Sequence, residues 1–248
     1  MALDLRLDGA VVLVTGGTRG VGAGIASVFR QAGASVVTCG RTGEAAPGFV
    51  RCDVRDPADV TRLVDEVVSR HGRLDVLVNN AGGAPFADTA TASPRFHDKV
   101  VALNLLAPLT VAQAANAVMQ KQDGGGVIVN VSSVSALRPS PGTAAYGAAK
   151  AGLDNLTGTL AVEWAPKVRV NALDVGMVRT EASDHYGDPA AVGATVPLGR
   201  LAEPEEVGRC AVFLASPLAS YVSGARLAVH GGGESPAYLS AAERTGVK

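Results

Sequence analysis

A serine, a tyrosine and a lysine that could transfer a proton lie in one short stretch of the chain, between Val127 and Lys150. Tyr146 and Lys150 are one i,i+4 step apart, so their side chains share one face of a helix. A phenol has an unperturbed pKa of about 10, and a nearby ammonium lowers that pKa towards neutral pH. Ser133 would donate a hydrogen bond to an oxygen on which negative charge develops. The three side chains are therefore suited to general acid and base catalysis.

The sequence around these residues predicts a strand, a loop and a helix. Residues 127–131 are mostly β-branched and uncharged, which is typical of a parallel strand covered on both faces. Pro139, Pro141 and Gly142 interrupt regular structure, and Thr143 is a suitable N-cap for the helix that follows. Ligands of open α/β sheets bind beyond the carboxyl ends of the strands. A tyrosine followed by a lysine at this spacing is also common as a packed aromatic beside a solvated amine, so other motifs must decide.

A glycine-rich turn follows the first predicted strand. Residues 10–14 are apolar, the sequence T-G-G-T-R-G-V-G follows from Thr15 to Gly22, and residues 23–31 predict a helix. Glycines in such a turn let the backbone approach a pyrophosphate, whose charge the helix N-terminus stabilises. A glycine turn alone is weak evidence, but the strand and helix that flank this one predict a nucleotide site.

The end of the second predicted strand indicates which nucleotide would bind. An acidic residue there would bind a ribose hydroxyl, whereas an arginine accommodates a phosphate. The strand of residues 34–39 is followed by Gly40 and Arg41 without an acid, and Arg19 lies inside the glycine turn. Two guanidinium groups favour a phosphate and so predict NADP(H). The alternative is that Arg41 is simply the first exposed residue after a strand.

Strands and helices alternate along the rest of the chain. Further strands are predicted at residues 49–52, 74–78, 168–173 and 225–229, and helices at residues 57–71, 93–122, 144–164 and 204–215. We therefore expect residues 1–248 to form one α/β domain with a Rossmann-like, doubly wound sheet of seven parallel strands and helices on both faces. Residues 181–200 lack periodicity and contain glycines and prolines, which predicts a substrate lid. The tail from Glu234 is expected to be poorly ordered or bound to another subunit.

Polar residues follow two further strands and interrupt one helix. Asp53 could accept a hydrogen bond from an adenine amino group or could cap the next turn. The sequence N-N-A-G runs from Asn79 to Gly82, where asparagines can tie neighbouring strands together and small residues leave room for a ligand. Asn104 lies in an otherwise apolar stretch, so its amide needs partners. It is either a satisfied core asparagine or a group that holds water near the tyrosine and lysine.

Composition and charge argue against several classes of protein. A net charge of −1 and a pI of about 6.4, without a basic run, argue against a nucleic-acid binder. Cys39, Cys52 and Cys210 are widely spaced, which indicates reduced thiols, and the histidines lack a metal-ligand spacing. The first residues do not resemble a secretory signal, and no uncharged apolar span of about 18 residues predicts a membrane helix. We expect a cytoplasmic protein that binds no metal, membrane or nucleic acid.

Several motifs in order make the chain similar to the short-chain dehydrogenase/reductase family over nearly its whole length. They are T-G-x-x-x-G-x-G at Thr15–Gly22, D-V at Asp53–Val54, N-N-A-G at Asn79–Gly82, the helix residue Asn104, S…Y-x-x-x-K ending at Lys150, and G-x-V-x-T at Gly176–Thr180. The resemblance implies a catalytic group made of Asn104, Ser133, Tyr146 and Lys150. Ser133 matches better than Ser132 because it lies thirteen residues before the tyrosine, which is the usual spacing in the family.

The resemblance also implies how a nicotinamide cofactor is bound. Lys150 would bind the nicotinamide ribose, Asn104 would position a proton-relay water, and the two arginines resemble those of NADP-preferring members. The implied cofactor-binding residues are Gly16, Thr18, Arg19, Gly20, Val21, Gly22, Arg41, Asp53, Val54, Asn80, Ala81, Gly82, Tyr146, Lys150, Gly176, Val178 and Thr180. One departure is that Asp174 and Val175 stand where the family commonly has a small residue and a proline, which changes the loop beside the nicotinamide.

The resemblance implies an NADPH-dependent oxidoreductase that reduces a ketone or aldehyde to an alcohol, reversibly, with the proton from Tyr146. A 3-oxoacyl thioester, as in 3-oxoacyl-[acyl-carrier-protein] reductases, is the first candidate substrate, and a sugar, steroid or secondary-metabolite ketone is the alternative. The expected substrate walls are residues 84–97, 134–142 and 181–200, and they contain no charged cluster beyond Arg95 and Arg138. These two charges are too few to decide between the substrate classes. A hypothesis from another class is a catalytically silent nucleotide sensor, which would not need all four catalytic residues. The resemblance also implies a homotetramer built on the long helices and the last strand.

Overall fold

The computed structural model describes residues 5, 7–43, 48–181 and 187–234. Strands and helices alternate through most of this part of the chain. Its elements are β1 (Val11–Thr15), α1 (Gly20–Gln31), β2 (Ser35–Gly40), β3 (Phe49–Arg51), α2 (Pro57–His71), β4 (Val76–Asn79), α3 (Pro94–Val101), a π-helix (Ala102–Leu106), α4 (Ala107–Met119), β5 (Gly126–Ser133), α5 (Ala144–Glu163), β6 (Val168–Val175), α6 (Pro189–Gly193), α7 (Pro204–Ala215) and β7 (Arg226–Val229).

The described strands form one parallel sheet of seven strands in the order β3-β2-β1-β4-β5-β6-β7. The chain first adds strands on one side of β1 and then crosses over to β4, so the strand order reverses between β1 and β4. In open α/β sheets a ligand crevice lies at this reversal, beyond the carboxyl ends of the strands. The prediction of a Rossmann-like α/β fold with seven parallel strands is confirmed.

Helices cover both faces of the sheet because the strands are apolar on both sides. On one face, Ile25 and Phe29 of α1 and Val207 of α7 are buried against the central strands. On the other face, Leu63 of α2 and Met119 of α4 are buried in a second cluster. Each fully buried side chain of this size contributes about 1.5–3 kcal/mol to folding. The two cores fix the sheet and therefore the positions of the loops at its carboxyl edge.

Several element bounds differ from the sequence predictions. Helix α1 begins at Gly20 rather than at residue 23, so its first turn lies inside the glycine motif. The helix predicted over residues 93–122 ends at Met119 and contains a π-helical turn around Asn104. Strand β6 continues to Val175, two residues further than predicted. Helix α2 has the predicted bounds, with Pro57 in its first turn.

The predicted lid is partly ordered as a short helix. Within residues 187–200, Pro189–Gly193 form α6, which the lack of periodicity does not predict. The N–H of Leu198 donates to the carbonyl of Gly231 at 3.1 Å, and Val196 is buried. Residues 182–186 of the predicted lid and the predicted tail beyond Glu234 lie outside the described residues.

Among the described residues, the helical run Pro94–Met119 is long and apolar enough to cross a membrane by length and composition alone, with a mean hydropathy of 1.4. The sequence prediction that no such span exists is therefore wrong by this test, because the polar residues Asn104 and Gln113 carry no charge. A core helix of a soluble protein passes the same test. Here 39% of the apolar window is buried, and Val111, Ala115 and Met119 pack in the core against the sheet.

Candidate active site

The glycine turn joins β1 to α1 and lies at the reversal of strand order. Gly16 and Gly20 have φ angles of 63° and 51°, in the left-handed region that favours glycine. A Cβ on Gly22 would collide with the carbonyl oxygen of Gly16, so only glycine fits there. The Asn80 amide donates to the carbonyls of Thr15 and Gly16, at 3.0 and 3.2 Å. These contacts fix a turn whose helix N-terminus suits an anion.

Arg19 and Arg41 belong to two segments that meet at the edge of this turn. The N–H of Gly16 donates to the carbonyl of Cys39 at 2.9 Å, and the Thr18 hydroxyl lies beside Gly40. Arg19 is the N-cap residue of α1, Arg41 directly follows β2, and both are exposed. The structure therefore places the two guanidinium-bearing residues on adjoining segments open to solvent, as a phosphate site would require.

Asp53 makes the local contacts of the capping alternative. Arg55 binds its carboxylate through two nitrogens, at 2.9 and 2.6 Å, and the backbone N–H of Arg55 donates to it at 3.1 Å. The Arg55 hydrogen bond lowers the pKa of Asp53, with a smaller opposing effect of burial. The carboxylate therefore stabilises the turn before α2. Val54 is buried next to it.

Asparagines tie the carboxyl ends of the central strands together. The Asn79 amide donates to Asn130 Oδ1 and to the Pro108 carbonyl, both at 3.0 Å. The Asn130 amide in turn donates to the Thr157 hydroxyl at 2.9 Å. The predicted tie between neighbouring strands is thus present, and it extends from β4 through β5 to α5.

Asn104 is fully buried in the π-helical turn and is bound to the loop after β4. Its amide donates to the carbonyls of Gly83 and Val100 at 3.0 and 2.9 Å, and its oxygen accepts from the N–H of Gly83 at 3.1 Å. A Cβ on Gly82 would lie 2.8 Å from Asn104 Oδ1 and 3.6 Å from Lys150 Nζ. Asn104 is therefore a satisfied core asparagine that also lies close to the lysine amine. Gly83, its main partner, is not among the residues that the sequence predicts.

Lys150 and Tyr146 lie on α5, which packs against the strand β5 that ends at Ser133, and Tyr146 borders a small cleft with residues of the loops after β4 and β5. The Lys150 amine lies 5.6 Å from the centroid of the Tyr146 ring and donates to the Val131 carbonyl at 2.7 Å. Burial lowers the pKa of Lys150 to about 8, against the opposing charge of Asp154. Ser133 ends β5, and its hydroxyl oxygen accepts from the N–H of Ser135 at 3.2 Å. The helical spacing thus brings phenol and amine together, and the strand end places the serine hydroxyl at the carboxyl edge of the sheet.

Thr143 precedes α5 as predicted, but its hydroxyl does not cap the helix. It donates instead to the Ser140 carbonyl at 3.3 Å, within the loop that follows β5. The backbone of that loop is tied to the loop after β4, because the N–H of Ala87 donates to the Gly142 carbonyl at 2.8 Å. The two loops therefore form one wall of the cleft in front of Tyr146.

The segment Gly176–Thr180 covers the glycine turn from the opposite side. Val178 pairs with Ala202, and the Thr180 side chain lies against Gly20. A Cβ on Gly176 would collide with the backbone of His230, so glycine is required there. A cavity of about 400 Å³ lies between this segment, the N-terminus of α1 and the start of α7. The structure thus brings the glycine turn, the 176–180 segment and the phenol-amine cleft to the same edge of the sheet.

Comparisons with known proteins extend over almost the whole chain. A family model described as enoyl-(acyl carrier protein) reductase matches residues 16–234. A D-threitol dehydrogenase of Mycolicibacterium smegmatis is 37% identical over 247 residues, which cover 92% of this chain and 94% of the relative. A 3-oxoacyl-[acyl-carrier-protein] reductase of Thermotoga maritima is 36% identical and covers 92% and 99%. The ligand-free aldohexose dehydrogenase of Thermoplasma acidophilum superposes with a TM-score of 0.86 at 31% identity, covering 92% and 94%.

The sheet order and the glycine turn at its reversal define a Rossmann-like fold of the kind that binds dinucleotides. The family model and the relatives at 36% and 37% identity show the protein family as well as the fold. The chain belongs to the short-chain dehydrogenase/reductase family, which confirms the resemblance of the sequence motifs. The protein is accordingly an oxidoreductase that interconverts alcohol and carbonyl groups of a small molecule with a nicotinamide cofactor.

Proposed function

We propose that the protein is an NADPH-dependent carbonyl reductase, EC class 1.1.1, that also runs as an alcohol dehydrogenase. The observation that carries the proposal is the Lys150 amine 5.6 Å from the centroid of the Tyr146 ring, at the same edge of the sheet as the glycine turn. An ammonium at this position stabilises a phenolate and so adapts the tyrosine to proton transfer near neutral pH. A nucleotide sensor without catalysis has no need of this pair, which makes that alternative the weaker one.

In the proposed mechanism, each of four residues acts on the carbonyl oxygen or on the residue that protonates it. The nicotinamide supplies a hydride to the carbonyl carbon when it is bound. Tyr146 donates the proton to the oxygen, and Ser133 donates a hydrogen bond that stabilises charge on that oxygen. Lys150 lowers the pKa of the phenol and binds the nicotinamide ribose. Asn104 joins the loop after β4 to the helix that faces the amine, and it holds the proton-relay water from there.

The glycine turn fits the pyrophosphate of the cofactor, because its backbone folds tightly through positive φ angles at Gly16 and Gly20 and leads directly into the N-terminus of α1. The other proposed binding residues are those that the sequence predicts, with Val178 and Thr180 at the nicotinamide. Asp53 is retained as a residue near the adenosine, although its carboxylate is bound by Arg55. Arg19 and Arg41 would bind the phosphate that distinguishes NADPH from NADH.

The substrate remains assigned to two classes, of which a 3-oxoacyl thioester is proposed first. Relatives of similar identity act on different carbonyl compounds by their names, including a 3alpha-hydroxysteroid dehydrogenase of Mediterraneibacter gnavus. At the cleft, Phe86 and Leu137 are exposed apolar side chains, and Arg138 is paired with Glu234. This wall suits an acyl chain or a steroid better than a sugar. A panel of 3-oxoacyl thioesters, hydroxysteroids and polyols separates these substrates by kcat/KM.

The remaining features of the proposal concern the whole chain. Residues 1–248 would form one dinucleotide-binding domain, with the segment 181–200 as a lid over the substrate. The protein would act in the cytoplasm on a small molecule, as a homotetramer, without a membrane, a nucleic acid or a metal. These features follow from the family likeness and from the motifs of the sequence.

Replacing Tyr146 by phenylalanine tests the mechanism. We expect Tyr146→Phe to lower kcat for carbonyl reduction by about 10²–10⁴-fold, because the general acid is lost. NADPH binding, measured by fluorescence titration, should stay within about twofold, because the phenyl ring is retained. The matched control is Tyr221→Phe, since Tyr221 is exposed on the surface. Undiminished turnover by Tyr146→Phe would refute the mechanism.

A further inference from the structure

Two buried carboxyl groups lie behind the lysine of the active site and take no part in the mechanism above. Asp154 follows Lys150 by one turn of α5, and Asp174 lies near the carboxyl end of β6. Their exposed fractions are only 6% and 3%. Asp174 is paired in register with Ser132 of β5, whose hydroxyl donates to the Lys150 carbonyl at 3.4 Å. The two acids therefore adjoin the part of α5 that carries the catalytic amine.

Charges and hydroxyls from each neighbouring element face this pair. They are Lys150 from α5, Ser132 from β5 and Arg226 from β7. Arg226 Nη1 lies 3.7 Å from Asp154 Oδ2, which is an ion-pair distance without a hydrogen bond of good geometry. Among the described residues, both oxygens of Asp154 and Oδ1 of Asp174 lack such a hydrogen bond. The carboxylates thus lie in the protein interior, where Ser132 and Arg226 oppose the effect of burial on Asp154, and burial of such groups is costly for folding alone.

The charges of the carboxyl pair and of Lys150 affect one another's pKa values. Burial, opposed by Ser132 and Arg226, raises the pKa of Asp154, and burial with the charge of Asp154 raises the pKa of Asp174 to about 6. Burial lowers the pKa of Lys150 to about 8, and Asp154 is the group that opposes this decrease. Removal of the negative charge of Asp154 would therefore lower the pKa of Lys150 further.

We propose that Asp154 and Asp174 are positioning residues that supply the counter-charge of Lys150 from behind, with Asp154 as the nearer charge. This counter-charge determines which of two groups, the Tyr146 phenol or the Lys150 ammonium, loses its proton first. A phenolate beside an ammonium and a phenol beside a neutral amine contain the same number of protons, but only the first state has the base that alcohol oxidation needs. A negative charge next to the amine, and further from the phenol, stabilises the first state. Asp174 is coupled to Asp154: its own pKa is raised to about 6, so it takes up a proton before Asp154 loses its negative charge to a proton of its own.

A tyrosinate titration of the cofactor-free protein tests this without any turnover. The absorbance of Tyr146 is isolated by subtracting the titration of Tyr146→Phe. We expect Asp154→Asn to move the midpoint of tyrosinate formation to higher pH by about one pH unit. Asp174→Asn leaves the nearer charge in place and should move that midpoint by less than Asp154→Asn. Asp75→Asn is the control, because Asp75 is a half-buried carboxyl at the opposite edge of the sheet, bound to the N–H of Val11.

The pH dependence of alcohol oxidation gives a second readout and rests on the proposed function. The rise of kcat/KM with pH should move in Asp154→Asn by the same amount as the tyrosinate midpoint. Thermal unfolding and NADPH affinity are measured on each variant, since a purely structural role would change these and leave both pH profiles in place. If Asp154→Asn does not fold, Asp154→Ser provides the neutral side chain.

Each outcome decides the proposal. An unchanged tyrosinate midpoint in the Asp154 variant, or a larger change in Asp174→Asn than in Asp154→Asn, overturns it. If the wild-type protein converts no carbonyl compound while the midpoint moves as expected, the proposed function fails and the inference about the carboxyl pair stands. If the wild-type protein converts carbonyl compounds and the tyrosinate midpoint of Asp154→Asn does not move, the proposed function stands and the inference about the carboxyl pair fails.

Discussion

At the scale of single residues, we expect the charge of Arg41 to favour NADPH over NADH. The residue follows β2 without an acidic neighbour, and its backbone adjoins the glycine turn through the bond between Gly16 and Cys39. A carboxylate at this position would repel a phosphate and accept from two ribose hydroxyls, whereas a guanidinium binds phosphate oxygens in a fork. The structure leaves Arg41 exposed, which is the state that a ligand-binding arginine needs.

We expect Arg41→Asp to weaken NADPH binding by about 10²-fold, because a charge-assisted contact is worth about 1.5–3 kcal/mol and the new carboxylate adds repulsion. NADH binding should stay equal or become tighter. Isothermal titration with both cofactors measures the ratio of the two dissociation constants. Arg30→Asp, at the far end of α1, is the control and should leave that ratio unchanged. Equal affinities for NADPH in Arg41→Asp and the wild type would exclude the phosphate role.

At the scale of elements, the π-helical turn around Asn104 has a cause in the sequence. In an α-helix the carbonyl of Asn104 would accept from the N–H of residue 108, which is a proline and has none. The extra residue of the π-turn turns Asn104 towards Gly83, where its amide makes two hydrogen bonds to backbone groups. Single π-turns occur frequently at functional sites, and this one faces the lysine amine.

Replacing Pro108 by alanine should restore an α-helical hydrogen bond and remove the π-turn. We expect Pro108→Ala to lower kcat by about tenfold, which corresponds to about 1.4 kcal/mol of lost positioning, while the melting temperature stays the same or rises. Pro94→Ala is the matched control, because Pro94 lies in the first turn of α3, where no intrahelical N–H is needed. Steady-state kinetics with a crystal structure of each variant makes the test. A variant that loses the π-turn and keeps full kcat contradicts the positioning role.

The same elements show what the sequence can and cannot predict. Apolar periodicity and Pro57 in the first turn locate α2 correctly, because those signals are local. The start of α1 at Gly20 is missed because glycine has a low helix propensity, which the packing of the turn overrides. The need of Asn104 for partners is predictable, but Gly83 as the partner is not. Asp174 stands out as a departure, whereas its closeness to Asp154 depends on how α5 packs on β6.

At the scale of the whole molecule, one face of α5 is suited to contact with another subunit. Ala148, Ala151, Asn155 and Val162 are exposed along the helix at spacings of three, four and seven residues. A Cβ on Gly158 would contact nothing within 4 Å, so the face is flat and open. Val162 is 81% exposed, which is costly for an apolar side chain unless another chain covers it. Small residues of this kind permit two helices to approach closely.

If four chains of 25.0 kDa associate, as the family resemblance implies, we expect light scattering to give about 100 kDa in solution. Val162→Glu should reduce this mass to about 50 kDa, because a buried carboxylate without a partner costs several kcal/mol at each copy of the contact. The control is Thr61→Glu, which places the same charge on the exposed side of α2. Lys150 and Tyr146 lie on the helix that would form the contact. Loss of the interface should therefore also lower the melting temperature of the protein. A mass of 25.0 kDa for the wild type would refute the assembly and leave the chemistry of the single chain unaffected.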